Sequence, residues 1–146
     1  MQPDSQLSWL AIAGSVAASF AIGSLWYGPL FGKAWARALG FPDGMRPSQA
    51  EIIKGSLLNL LGALLMAYVL AHQVAVWRPS SWHAGQDLAD SQYGFLAAFF
   101  TWIGFIVPLL LNGVAFERKS WKLFGINGAY QLVSLLAMGL ILACWS

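Results

Sequence analysis

Five polar side chains capable of binding a ligand, or of bonding to one another, lie within otherwise apolar stretches of the sequence. They are amides and one phenol: Asn59, Asn112, Asn127, Tyr130 and Gln131. Such groups donate and accept hydrogen bonds without carrying charge, which suits a small neutral or weakly polar solute or ordered water. Asn and Gln in membrane helices commonly bond to a neighbouring helix, each bond contributing about 0.6–2 kcal/mol. The structural interpretation is therefore favoured over a ligand site.

His72 is the residue best suited to metal or haem chemistry, and Tyr68 lies one helical turn away. A haem takes one or two axial histidines, and a metal takes several nitrogen, sulfur or carboxylate ligands. The only other histidine is His83, and no acid lies in the apolar stretches. We therefore expect Tyr68 and His72 to form a second polar site of packed side chains, with no metal and no cofactor.

No arrangement of residues predicts catalysis. The sequence has no nucleophile–base–acid set and no glycine-rich phosphate loop. A proton-coupled exporter would need an acid within a membrane span, and none is present. We predict a non-enzymatic protein without catalytic residues. A quinone-type cofactor is an alternative that depends only on the aromatic content and His72.

Four apolar stretches must position these residues. Of the 146 residues, 58% are hydrophobic and 10% are charged, whereas soluble domains carry roughly 25% charged residues. About 20 helical residues cross a hydrocarbon core of ~30 Å, so we place spans at 7–27, 55–77, 92–112 and 123–145. The predicted fold is all-α, a single integral membrane four-helix bundle over residues 1–146.

Basic residues predict the orientation of this bundle. Four lie in the loop 28–54 and three in the loop 113–122, against Arg78 alone between the second and third spans. Cytoplasmic loops carry the excess of Lys and Arg. We therefore expect both basic loops in the cytoplasm and both termini on the non-cytoplasmic side of the membrane.

Charged residues are also predicted at the cytoplasmic end of the bundle, which we call the inner mouth. Residues 31–41 are predicted to form a short amphipathic helix on the membrane surface, with Trp35 in the lipid and Lys33 and Arg37 toward the headgroups. Charge in a short inner loop ordinarily sets topology. A sharper hypothesis has Glu117 reaching Lys33 or Arg37 across the mouth.

Three asparagines are predicted to lie at one depth, because each is five residues from a charge that flanks its span. The pairs are Asn59 with Lys54, Asn112 with Glu117, and Asn127 with Lys122. At 1.5 Å per residue this depth is about 7–8 Å below the cytoplasmic boundary. If all three face inward they form a polar layer, with Tyr130 and Gln131 a turn deeper. Our hypothesis is that a ligand, ion or water would bind there.

Helical spacing also sorts small residues onto single faces. On the third span one face carries Gly94, Ala98, Thr101, Gly104, Pro108 and Asn112. Small residues let helices approach closely in lipid, and four helices are too few to enclose a wide pore. The leading hypothesis is a self-associating or partner-binding membrane protein, with the bilayer as its surroundings and no nucleic acid partner. The alternative is a homo-oligomeric channel or facilitator for a small neutral or weakly polar solute, with small-residue faces at the contacts.

Several motifs resemble a bacterial membrane family known as domain of unknown function 1761. They are Trp26–Trp35 after the first span, Ala67–His72 in the second, Trp102–Pro108 in the third, and Phe116–Arg118 with Lys122–Ser134 at the fourth. The resemblance implies a small inner-membrane protein and supplies no activity. It also suggests that Tyr27, Lys33, His72, Glu117, Asn127 and Tyr130 belong to the shared pattern.

Overall fold

The regular structure of the described chain is helical throughout. A computed structural model describes residues 6–42 and 44–145, so residues 1–5, 43 and 146 lie outside this description. Four helices in the described chain are long and apolar enough to cross a membrane: Trp9–Leu30, Gln49–Trp77, Asp90–Phe116 and Trp121–Cys144. The prediction of an all-α fold with four membrane-capable helices is confirmed, and the chain is a multi-pass membrane protein.

Two of the four spans change their winding along their length. The first span consists of α1 (Trp9–Leu25) and a π-helical turn (Trp26–Leu30), and the short helix α2 (Gly32–Ala38) follows it. The second span is the single helix α3 (Gln49–Trp77). The third consists of α4 (Asp90–Thr101), a π-helical turn (Trp102–Ile106) and α5 (Val107–Phe116), and the fourth is α6 (Trp121–Cys144).

Serine side chains begin three of the spans. Ser8 and Ser120 accept hydrogen bonds from the backbone N–H groups of Ala11 and Leu123, at 3.2 and 3.1 Å. Ser48 and Glu51 form a capping box at the start of α3. These bonds satisfy N–H groups that have no partner within the helix, and they engage the Glu51 carboxylate locally.

The fourth span packs against the other three through small residues. A Cβ added to Gly94 would lie 2.5 Å from the Gly139 carbonyl oxygen, so α4 and α6 touch backbone to backbone. Ala98 and Ala143 are fully buried in the same core. The third-span face of small residues was expected at oligomer contacts. Two of its residues, Gly94 and Ala98, instead pack inside the chain.

The first π-helical turn carries the chain through a proline. Pro29 lies inside this turn, and the Phe31 N–H donates to the Trp26 carbonyl at 2.8 Å. A wider turn relieves the clash that a proline ring makes with the carbonyl four residues earlier. The first span therefore extends three residues beyond the predicted end at residue 27.

The second π-helical turn changes which face of the third span points inward. A π-helical turn inserts one extra residue, which rotates everything after it by about 100° relative to an α-helix. Before the turn Gly94 and Ala98 are buried, and after it Leu110 is the residue that reaches Gly128 of the fourth span. Asn112, which an unbroken α-helix would place on the inner face, is exposed.

Both π-helical turns begin with a tryptophan that holds the fourth span. The Trp26 indole N–H donates to the Ile126 carbonyl at 3.0 Å, and the Trp102 indole N–H donates to the Gly128 carbonyl at 2.8 Å. A buried indole N–H needs such an acceptor. The first and third spans are therefore tied to one turn of α6 from two sides.

Arg78 organises the end of the bundle where the first span begins and the fourth span ends. Its guanidinium donates to the Asp90 carboxylate at 2.6 Å and to the Ala143 carbonyl at 2.7 Å, and it stands 5.4 Å from the centre of the Tyr93 ring. The pKa of the nearby Asp87 carboxyl lies below its ordinary value, mainly because the Ser80 hydroxyl and then the Ser80 backbone N–H donate to it. The two Ser80 donors therefore favour the ionised form of the Asp87 carboxyl beside the Arg78 guanidinium.

Candidate functional site: a polar groove between the first and second spans

The second span leaves the bundle at the end that carries the two basic loops, which we call the basic end. Its buried residues begin only at Ala63, so the stretch from Gln49 to Gly62 has no buried side chain. Beyond that point Ala67, Leu70 and Val74 are in the core. A gap therefore opens between α3 and the rest of the bundle at the basic end.

This gap, which we call the polar groove, has a volume of about 660 Å³. Its lining comes from the first, second and fourth spans and from the first loop: Phe20, Gly23, Ser24, Tyr27, Trp35, Pro47, Glu51, Ile52, Gly55, Ser56, Asn59, Asn127 and Tyr130. Hydroxyl, amide and carboxylate groups thus lie beside apolar side chains. Concave sites of this size with a few polar groups are typical of small-molecule binding.

The wall of the groove on the fourth span is held by hydrogen bonds. The Tyr27 hydroxyl donates to the Asn127 amide oxygen at 2.6 Å. The Tyr27 ring meets the Tyr130 ring edge-on, with centroids 5.1 Å apart. The π-helical turn that contains Tyr27 brings it to this position. Because this hydrogen bond and this ring contact form without a ligand, the wall has its shape before anything binds.

The opposite wall is a stripe on the second span. Glu51, Gly55 and Asn59 follow at intervals of four residues, which places them on one side of a helix. Ser56 lines the groove beside them. Asn59 is exposed and makes no side-chain hydrogen bond within the described chain, so its amide is available to a ligand.

A second cavity adjoins the groove at the surface of the basic end. Its volume is about 890 Å³, and it shares Tyr27, Trp35, Pro47 and Glu51 with the polar groove. Lys33 and Arg37, on the short helix α2, also line it. We call this second cavity the basic vestibule.

The structure brings together three of the five predicted polar residues. Asn59, Asn127 and Tyr130 line the polar groove. Asn112 is exposed and lies away from it, and half-buried Gln131 does not line it. The polar layer in this structure therefore lacks Asn112, for the reason given by the π-helical turn in its span.

The second predicted site, Tyr68 and His72, lies in the C-terminal half of α3. The two rings meet edge-on with centroids 4.7 Å apart, and Trp9 stacks on Tyr68 at 5.9 Å. His72 is half-buried. Within the described residues, no three His, Cys, Asp or Glu side chains come close enough to hold a metal ion.

Among the charges predicted at the inner mouth, Glu117 pairs within its own loop. Its carboxylate lies 3.1 Å from the Lys119 ammonium, and both side chains are about half exposed. Lys33 and Arg37 line the basic vestibule, and neither forms an ion pair with Glu117 within the described chain. A partner two residues away in the same turn satisfies Glu117 with little loop-closure entropy.

Sequence reasoning did not place several residues of the groove there. Ser24, Ser56 and Trp35 line it, and the Tyr27–Asn127 hydrogen bond joins residues 100 positions apart. The four-residue spacing of Glu51, Gly55 and Asn59 was a usable signal for one wall. The other wall depends on the π-helical turn, which no periodic pattern reveals.

A comparison with protein-family models gives one decisive match. The model described as "Protein of unknown function (DUF1761)" matches residues 10–143. The chain belongs to this family. No curated protein and no solved structure matches it.

Membership of the DUF1761 family confirms the resemblance seen in the sequence motifs. The match runs from the start of the first span almost to the end of the fourth, so the polar groove lies wholly within the DUF1761 region. The family description assigns no activity, and the groove must therefore be interpreted from its own chemistry.

Proposed function

We propose that this DUF1761 protein is a non-enzymatic protein of the bacterial inner membrane that binds one amphiphilic molecule in the polar groove. The observation that carries the proposal is the departure of α3 from the bundle beside Asn59, whose amide has no hydrogen-bond partner among residues 6–42 and 44–145. An amide exposed to hydrocarbon without a partner costs free energy. An occupant with both polar and apolar groups would satisfy Asn59 and also cover Phe20 and Ile52.

The proposal includes the orientation in which loops 28–54 and 113–122 face the cytoplasm. Both loops carry the basic residues that cytoplasmic loops retain. The polar groove and the basic vestibule would then open at the inner leaflet, where anionic lipid headgroups face the cytoplasm.

Cysteine labelling tests this orientation. Single cysteines at Arg46, Lys119 and Gln86, all exposed positions, would be introduced in a Cys144→Ser background, because Cys144 is itself exposed. An impermeant thiol reagent added to intact cells should label Gln86→Cys and spare Arg46→Cys and Lys119→Cys. Labelling at Arg46→Cys and Lys119→Cys with protection at Gln86→Cys would show that the chain has the opposite orientation in the membrane.

Self-association is a second candidate role, and one stripe on the third span favours it. Leu109, Asn112 and Phe116 are all exposed, at intervals of three and four residues. This is the spacing of a helix seam, and polar side chains in membrane helices hydrogen-bond across to a neighbouring helix. A second copy packed through this seam would pair the two Asn112 side chains. An oligomeric solute facilitator would depend on such an assembly.

One experiment separates the two roles through a matched pair of variants. Native mass spectrometry of the protein in mild detergent with added phosphatidylethanolamine would measure both retained lipid and oligomeric state. Asn59→Leu should reduce the retained lipid about three- to thirty-fold, the equivalent of one amide hydrogen bond in a membrane. Asn112→Leu should retain the lipid and lose the dimer.

The two variants serve as controls for each other, because both replace an exposed asparagine by leucine. Equal lipid retention by Asn59→Leu and the wild type would contradict the binding role. A wild type that is monomeric in this detergent and after chemical cross-linking in membranes would contradict self-association.

A further inference from the structure

We propose that Lys33 and Arg37 bind the phosphate of an anionic phospholipid whose glycerol region lies in the polar groove. This inference rests on the proposed binding function and specifies the class of its ligand. The two side chains are four residues apart on α2, which places them one helical turn apart on the same side. Both line the basic vestibule and both are exposed.

The balance of charge in the vestibule favours an anion. Lys33 and Arg37 form no ion pair within the described chain, in contrast to Arg78 and Lys119. Glu51 is the acid in the lining, and one of its carboxylate oxygens accepts the Ser48 backbone N–H at 3.2 Å in the helix cap. Asp43 of the same loop lies outside the described residues. Guanidinium and ammonium groups are the donors that proteins use most for phosphate.

The neighbouring side chains fit a lipid better than a soluble phosphate. Trp35, Phe41 and Met45 line the same vestibule, and Phe41 and Met45 are exposed although strongly apolar. The polar groove adjoins the vestibule through Tyr27 and Trp35. A headgroup at Lys33 and Arg37 could thus continue into a glycerol backbone near Asn59 and acyl chains along the exposed leucines of α3.

The experiment compares retention of phosphatidylglycerol and phosphatidylethanolamine by the full chain in native mass spectrometry. The wild type should prefer phosphatidylglycerol. Lys33→Gln with Arg37→Gln should reduce that preference by about fivefold for each basic residue removed. Retention of phosphatidylethanolamine should fall less, because its own ammonium group neutralises its phosphate. Both positions are exposed, so the double variant should fold.

The matched control is Arg46→Gln with Lys54→Gln. It removes the same charge from the same loop, but neither residue lines the vestibule or the groove. An equal loss of preference in both double variants would overturn the inference in favour of general surface charge. Displacement of phosphatidylglycerol by millimolar inorganic phosphate would overturn the assignment of a lipid as the source of the anion.

The outcomes also distinguish failure of this inference from failure of the proposed binding function. A wild type that retains both lipids equally, with retention lost in Asn59→Leu, would overturn the anionic preference alone. A wild type that retains neither lipid would overturn both proposals.

Discussion

Replacing Gly139 by alanine is expected to lower the free energy of unfolding by about 3 kcal/mol, at the upper end of what overpacking costs. The added Cβ would overlap the Gly94 carbonyl oxygen and approach the Ala98 Cβ within 3.2 Å. The first of these atoms is backbone and cannot rotate away. The helices α4 and α6 would have to separate, which would disturb the core around Met138. Reversible unfolding in mixed micelles titrated with sodium dodecyl sulfate would measure the change.

The same substitution elsewhere on α6 provides the control. A Cβ added to Gly125 meets nothing within 4 Å, so Gly125→Ala should be neutral or stabilising by up to about 1 kcal/mol, since alanine favours the helix. Gly94→Ala should lower the free energy of unfolding about as much as Gly139→Ala. The double variant should lose less than the sum of the two, because both substitutions disturb the same contact between α4 and α6. Equal stability of Gly139→Ala and Gly125→Ala would show that the helices do not cross this closely.

Replacing Arg78 by methionine is expected to cost about 2–4 kcal/mol of stability at the same end of the bundle. Its partners Asp90 and Ala143 each lie four residues from the Gly94–Gly139 contact. The Arg78 side chain is only 16% exposed, and hydrogen bonds to charged groups contribute about 1.5–3 kcal/mol each when partly buried. The Ala143 carbonyl, at the end of α6, would lose a cationic donor that also suits the helix dipole. The pair with Asp90 adds less, because the Asp90 side chain is 52% exposed.

Graded variants distinguish the roles of Arg78. Arg78→Lys keeps the charge but not the planar fork that reaches two acceptors, so it should recover part of the loss. Asp90→Asn should cost less than about 1 kcal/mol. Arg46→Met, at an exposed site, is the control, and the same unfolding titration is the measurement. A loss in Arg78→Met no larger than that in Arg46→Met would remove Arg78 as an organiser of this end.

The two largest effects thus lie in packing and in a loop, away from the polar groove. This separation is useful for the binding experiments, because Asn59, Lys33 and Arg37 are exposed and outside the core. Variants at these three positions should change ligand retention without changing the unfolding midpoint. A ligand effect can therefore be told apart from loss of the fold.

Apolar length and charge in the sequence were sufficient to determine the four membrane-capable helices. A stretch of about 20 apolar residues has few alternatives to a helix in a membrane, because every backbone polar group must bond internally. The ends moved by up to six residues, as at Gln49, where the capping box begins α3 ahead of the predicted residue 55. The Ser48–Glu51 spacing carries that signal locally.

Only the tertiary structure decided which polar residues meet. Asn59 and Asn127 share a groove because α3 leaves the bundle, and Asn112 does not because a π-helical turn rotates α5 after Trp102. Both events depend on contacts between spans, such as the Trp102 N–H bond to Gly128. A helical period extrapolated along one span cannot predict contacts between different spans. The sequence by itself determined the helices and their polar residues, and the packing of four helices against one another determined the site.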